Sequence, residues 1–78
     1  MPTFTPTNIE TFRRSVGRKL RTARNRVGLS QAEVARCLGL SDVGCVVGQW
    51  ERGLVLPRLE HMRGLAKLYD VLIDELVP

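Results

Sequence analysis

Three glycines punctuate this chain. Gly28, Gly39 and Gly53 each follow a stretch in which apolar residues recur at spacings of three and four. No stretch alternates apolar and polar residues as a half-buried strand does. A chain patterned in this way buries its apolar stripes only by packing helix on helix. The longest stripe runs Ile9, Phe12, Val16, Leu20, Ala23 and Val27. Thr7 and Glu10 stand in the spacing of a capping box ahead of it. Residues 1–8, with Pro2 and Pro6 among threonines, are expected to form a flexible arm, leaving 9–78 as one domain.

Ser30-Gln31-Ala32-Glu33 forms a second capping box. Val34, Ala35 and Leu38 supply the buried face of a short helix that Gly39 ends. A turn follows, then a third helix over about 43–52, held by Val47 and Trp50. Its internal glycines each cost roughly 1 kcal/mol relative to alanine, so tertiary packing has to support it. Pro57 is placed to start a fourth helix, whose stripe is Leu59, Met62, Leu65, Ala66 and Tyr69. Val71 to Val77 is expected to add a short fifth, with Asp74 and Glu75 outward. The expected fold is all-α, a compact bundle of five helices.

At 78 residues, the chain has room for one small core and little for a deep catalytic pocket with a lid. Ser15, Ser30 and Ser41 have no partner set for nucleophilic catalysis, and no enzyme is expected. Cys37 and Cys45 do not make a disulfide scaffold, and their spacing with His61 matches no zinc signature, so neither metal nor cofactor is expected. No apolar run approaches a membrane span and no hydrophobic signal region opens the chain, which reads as cytoplasmic with no membrane partner. Charge is distributed unevenly. Residues 1–39 carry eight bases and two acids, or +6, whereas 40–78 carry four bases and six acids, or −2. Seven of the bases fall within residues 13–26, with no acid among them. Such a basic half suits an anionic partner, nucleic acid first, although a solvated helix face has the same composition.

Two short helices joined by a tight glycine turn make a helix-turn-helix, in which the second helix enters the major groove. The helices cross closely only where the fifth position of the first is small, and Ala35 stands there. Gly39 stands at the ninth, where the turn often needs a left-handed backbone. In Gly28-Leu29-Ser30-Gln31, Val34-Ala35, Leu38-Gly39-Leu40-Ser41, Trp50-Glu51-Arg52-Gly53, Pro57 and the tail from Leu65 through Leu76, the chain resembles the xenobiotic-response-element (XRE) family. This is the Cro and phage-repressor type of helix-turn-helix. The resemblance spans about residues 12–77. It implies a lambda-repressor-like fold and a transcriptional regulator of operator DNA. It further implies that Arg24 pairs with Glu51 to lock the first helix to the third. Arg18, Arg21, Gln31, Arg52 and Arg58 would hold phosphates, and Gln49 would read a base.

Between Ser41 and Trp50 stand eight residues where the family typically has six, an insertion expected around Asp42 and Val43. The base-facing positions then fall on Gly44, Cys45, Val46 and Gln49, and only Gln49 has an amide that can pair an adenine edge. The loop Leu54-Val55-Leu56 lacks backbone-gripping bases. Val43, Val46, Leu54, Val55 and Leu56 therefore suggest an alternative, an antiactivator that captures a transcription factor. Leu54 and Leu56 have the other option of folding back onto the core. Leu72, Ile73, Leu76 and Val77 make an apolar chain end, suited either to a homodimer contact or to core packing. His61 is expected to be exposed, and Trp50 and Tyr69 to be core residues.

Overall fold

A computed structural model describes residues 6–41 and 44–78, with side chains from Ile9 onward. The elements are α1 (Pro6–Val27), α2 (Gln31–Cys37), α3 (Cys45–Glu51), α4 (Leu59–Tyr69) and a single 3-10 turn (Ile73–Glu75). Helix α1 starts at Pro6, which tolerates the first turn because it has no N–H to leave unpaired. Thr7 is therefore inside the helix rather than its cap. Residues 6–8, expected in the arm, belong to α1, and the rest of that arm lies outside the described residues. Helix α4 starts two residues after Pro57, which is buried ahead of it.

The fifth helix is replaced by the 3-10 turn. Its hydrogen bonds run from Glu75 N–H to the Leu72 carbonyl (3.0 Å) and from Leu76 N–H to the Ile73 carbonyl (2.9 Å). In a 3-10 turn, residues three apart eclipse, so half-buried Ile73 and buried Leu76 point inward together. Leu76 is 1% exposed and belongs to the core. It is thus withdrawn from the expected dimer surface, which keeps Leu72, 71% exposed, at its edge.

The α2 ending shows how the turn is built. Leu40 N–H bonds the Ala35 carbonyl at 2.8 Å and Gly39 N–H bonds that of Arg36 at 3.1 Å, a Schellman closure with Gly39 at φ +74°. Helix α4 closes with the same two-bond pattern, but the left-handed residue there is Asp70, at φ 56°.

Val16, Leu20 and Ala23 of α1 meet Val34 and Ala35 of α2, Val47 and Trp50 of α3, and Met62, Leu65, Ala66 and Tyr69 of α4 in one core. The stripe frays at its ends: Ile9, Phe12 and Val27 remain more than a third exposed, as does Leu59. His61 is not exposed but half-buried, tilted against Trp50 with ring centroids 5.5 Å apart. Helices α1 and α3 touch backbone to backbone at Gly17. A Cβ there would sit 2.7 Å from the Trp50 carbonyl oxygen and closer still to that of Glu51. Among the described residues no helix is long and apolar enough to cross a membrane.

Candidate nucleic-acid interface

Helix α2, the Gly39 turn and α3 form the helix-turn-helix. Ser30 starts it with a complete capping box. Glu33 N–H donates to Ser30 Oγ (3.0 Å), and Ser30 N–H donates to Glu33 Oε1 (2.8 Å). Donation from the Ser30 backbone holds the Glu33 carboxyl below its ordinary value.

Helix α3 is only seven residues long and begins without a side-chain cap. It is held from outside. Arg24 on α1 donates Nε–H to Glu51 Oε2 at 2.6 Å and Nη2–H to Oε1 at 3.0 Å. Its Nη1–H reaches the Leu29 carbonyl at 2.9 Å. Gln31 at the start of α2 donates Nε2–H to Glu51 Oε1 at 3.0 Å. The structure thus brings Arg24, Glu51 and Gln31 into one network. One carboxylate, 4% exposed, receives three N–H groups from two other helices. The hydrogen bonding of Arg24 to the Glu51 carboxylate raises the guanidinium above its already high ordinary value. Among the described residues nothing hydrogen-bonds the buried Tyr69 hydroxyl, and burial raises its pKa.

The clamp determines what α3 presents. Gly48 is buried beneath Gln31, whose Oε1 lies 3.3 Å from the place of a Cβ. Val47 and Trp50 point into the core. What remains outside is Cys45, Gln49 and Arg52, at spacings of four and three on one stripe, with half-buried Val46 beside it. Arg52 lies back along the helix, its Nε–H on the Gly48 carbonyl at 3.3 Å. The family resemblance gave Arg52 a phosphate role but did not reveal that it continues the Cys45–Gln49 stripe. Reading α3 from Arg52 backwards in steps of three and four would have found it.

Gly44 does not fit the base-facing expectation. It is buried, at φ +98°, with the backbone of Gln31 and Ala32 about 3.0 Å from the place of a Cβ. A backbone wedged under α2 cannot touch a base. Arg18 lines grooves with Val71, Glu75 and Leu76 on one side and Pro78 on the other. Arg21 and Arg58 are exposed, Arg58 just ahead of α4. Leu54, Val55 and Leu56 do not fold back onto the core but remain 58%, 43% and 40% exposed. Asp42 and Val43, and with them the expected insertion, lie outside the described residues.

The helix-turn-helix domain family matches residues 15–77. The chain belongs to this family, in its XRE type. No curated protein sequence matches it. Among solved structures, the domain is similar to the DNA-binding domain of BldD, with 32% identity and a TM-score of 0.74 over 88% of this chain and 97% of that one. It is similar to the restriction-modification controller protein C.AhdI from Aeromonas hydrophila, with 31% identity and a TM-score of 0.72 over 90% and 97%. It is also similar to the P22 c2 repressor, solved in complex with a synthetic operator, with 30% identity and a TM-score of 0.70 over 78% and 89%. The family is one of DNA-binding transcription regulators.

Proposed function

We infer that this domain regulates transcription by binding operator DNA with α3 in the major groove. The observation that carries the reading is the exposed stripe Cys45, Gln49 and Arg52 on a helix clamped through Glu51. Gln49 is the base-reading side chain, because its amide pairs adenine N6 and N7. Cys45 and Val46 offer apolar contact with a thymine methyl. Arg21, Arg52 and Arg58 neutralise phosphates, and Gln31 keeps a second Nε2–H for another. The operator-bound P22 c2 repressor supports the reading by similarity. A single bidentate amide gives about 1–3 kcal/mol of discrimination, so sequence preference is modest unless a second half-site adds to it. A homodimer through Leu72 and Ile73, with Val77 beside them, would supply that half-site.

The test is fluorescence anisotropy of the full chain with duplexes from its own upstream region and of random sequence, across a salt series. Three bases on phosphates predict a log–log slope of about −3 for one subunit and about twice that for a dimer. Gln49→Ala should reduce the preference between duplexes, and Arg52→Ala should flatten the slope. A slope near zero rules the reading out.

Exposed Leu54, Val55 and Leu56 favour a second reading, in which that loop and Val46 capture a transcription factor instead of DNA. Leu54→Asp and Val46→Glu would then abolish capture while Gln49→Ala leaves it intact.

A further inference from the structure

The DNA reading and the Glu51 clamp use Arg21 and Arg24 and leave the other five bases of α1 unused. Helix α1 meets α3 through Gly17 and Arg24. At 100° per residue, Lys19 and Arg26 stand about half a turn round the helix from Gly17. They line, with Arg18, a groove of ≈ 390 Å³ on the opposite flank, between α1 and the 3-10 turn. Its apolar lining is Ala23, Val71 and Leu76. Among the described residues no salt bridge engages Arg18, Lys19 or Arg26. The one acid in the lining, Glu75, has its Oε2 on the Leu72 N–H at 2.6 Å. Past Arg18 a second groove continues along α1 to Thr11, with Phe12 and Pro78 in its walls. Together they run about 22 Å, from Thr11 to Arg26 of α1 at helical rise.

We propose that this flank is a docking groove for an acidic amphipathic helix of a partner protein. Charge complementarity selects the occupant: three free cations, one engaged acid and an apolar floor suit carboxylates flanking an apolar ridge. Spacing suits it too. Lys19 and Arg26 are seven residues apart, about 10 Å at helical rise, which matches carboxylates seven residues apart on a facing helix. A duplex on α3 lies against the other side of α1, so the groove stays open while DNA is bound. The partner would be recruited to the operator rather than displaced from it.

The probe is a labelled synthetic helix of about five turns, with leucine and alanine on one face and glutamates at seven-residue spacing beside it. Its counterpart carries lysine for glutamate. Binding to the full chain is followed by anisotropy and by amide chemical shifts. The acidic helix should bind, shift amides in residues 15–26 and 71–76, and bind at least about tenfold more weakly to Lys19→Gln/Arg26→Gln. Saturating duplex should leave its affinity within about threefold, and the double variant should keep the salt slope of DNA binding. The proposal is overturned if the lysine helix binds as well, if the shifts map to α3, or if nothing binds at low salt. Shifts in Lys19, Arg26 and residues 71–76 on adding duplex alone would make the flank a DNA contact and overturn it equally. Gln49→Ala, which tests the DNA reading, should leave the acidic helix bound, so either idea can fail without the other.

Discussion

Gly17→Ala measures how tightly α1 is seated on α3. An alanine in mid-helix normally gains about 1 kcal/mol over glycine. Here the new Cβ would lie 2.7 Å from the Trp50 carbonyl oxygen and closer still to that of Glu51. Both are backbone atoms, so no side chain can rotate away. Reaching an ordinary 3.4 Å contact needs α1 and α3 to part by at least about 0.7 Å. Overpacking of this kind costs about 1–3 kcal/mol. The same parting lengthens the Arg24–Glu51 pair seven residues along α1, whose bonds of 2.6 and 3.0 Å have no slack. Bonds to charged groups contribute about 1.5–3 kcal/mol each, so even partial loss outweighs the propensity gain. The net destabilisation is about 2 kcal/mol, and the melting temperature falls by roughly 8–16 °C in a domain of this size. Gly48→Ala is the internal control. Its Cβ would meet only the Gln31 amide oxygen, at 3.3 Å, which can shift by a few tenths of an ångström. It should melt at or above the parent. Circular dichroism melts and urea titrations of the three proteins decide the matter. A Gly17→Ala domain as stable as the parent would refute the close seating of α1 on α3, and with it the account of how Glu51 is held.

Asp70→Gly should stabilise the domain by about 0.5–1 kcal/mol, because the φ of 56° that ends α4 strains every residue type but glycine; a lower urea midpoint would show that Asp70 has a compensating partner. Tyr69→Phe should change stability by less than about 0.5 kcal/mol or raise it, since it removes a buried hydroxyl that has no hydrogen-bond partner. A large loss in the same melt would mean that the hydroxyl is bonded in solution. Glu33 has its pKa lowered by the Ser30 backbone, so its ionised form stabilises the fold above the ordinary carboxylate range. That stabilisation is lost as pH falls through the depressed folded value. The gap in melting temperature between the parent and Glu33→Gln should therefore be open at neutral pH and close in acid; a gap constant with pH would show that the charge of Glu33 does not matter.

Periodicity and capping carried most of the helical layout, because three- and four-residue spacing states which face is buried before any partner is known. Val16, Leu20, Ala23, Val34, Ala35, Val47 and Trp50 follow from spacing alone and lie in the core. The end of the chain was not legible in this way. Leu72, Ile73, Leu76 and Val77 are all apolar, and no local rule says which one turns inward. That depends on Asp70 reversing the chain after α4, a left-handed position that the sequence marks with aspartate rather than glycine. Gly44 failed for a related reason. Counting positions put it on the outer face, whereas its burial comes from the approach of Gln31 and Ala32, a contact between segments that one-dimensional spacing does not contain.

The same limit explains the outer surface of α3. From the sequence, the two glycines of the third helix look like gaps among base-contacting side chains. In the fold they are close approaches, Gly44 to the backbone of α2 and Gly48 to the Gln31 amide. Helix α3 gives up a side chain at Gly44 so that α2 can lie on it, and the exposed stripe of Cys45, Gln49 and Arg52 is what remains. Its orientation rests on Glu51, which receives hydrogen bonds from α1 and α2 at once. Removing one member of a buried ion pair costs about 3–5 kcal/mol because the other charge is left unpaired. Glu51→Gln would therefore free α3 from α1 and loosen Gln31, losing operator preference through orientation although Glu51 touches no base. On the proposed function, stability and reading would be coupled at this one carboxylate, because a short, poorly capped helix keeps its orientation only while Arg24 and Gln31 hold it.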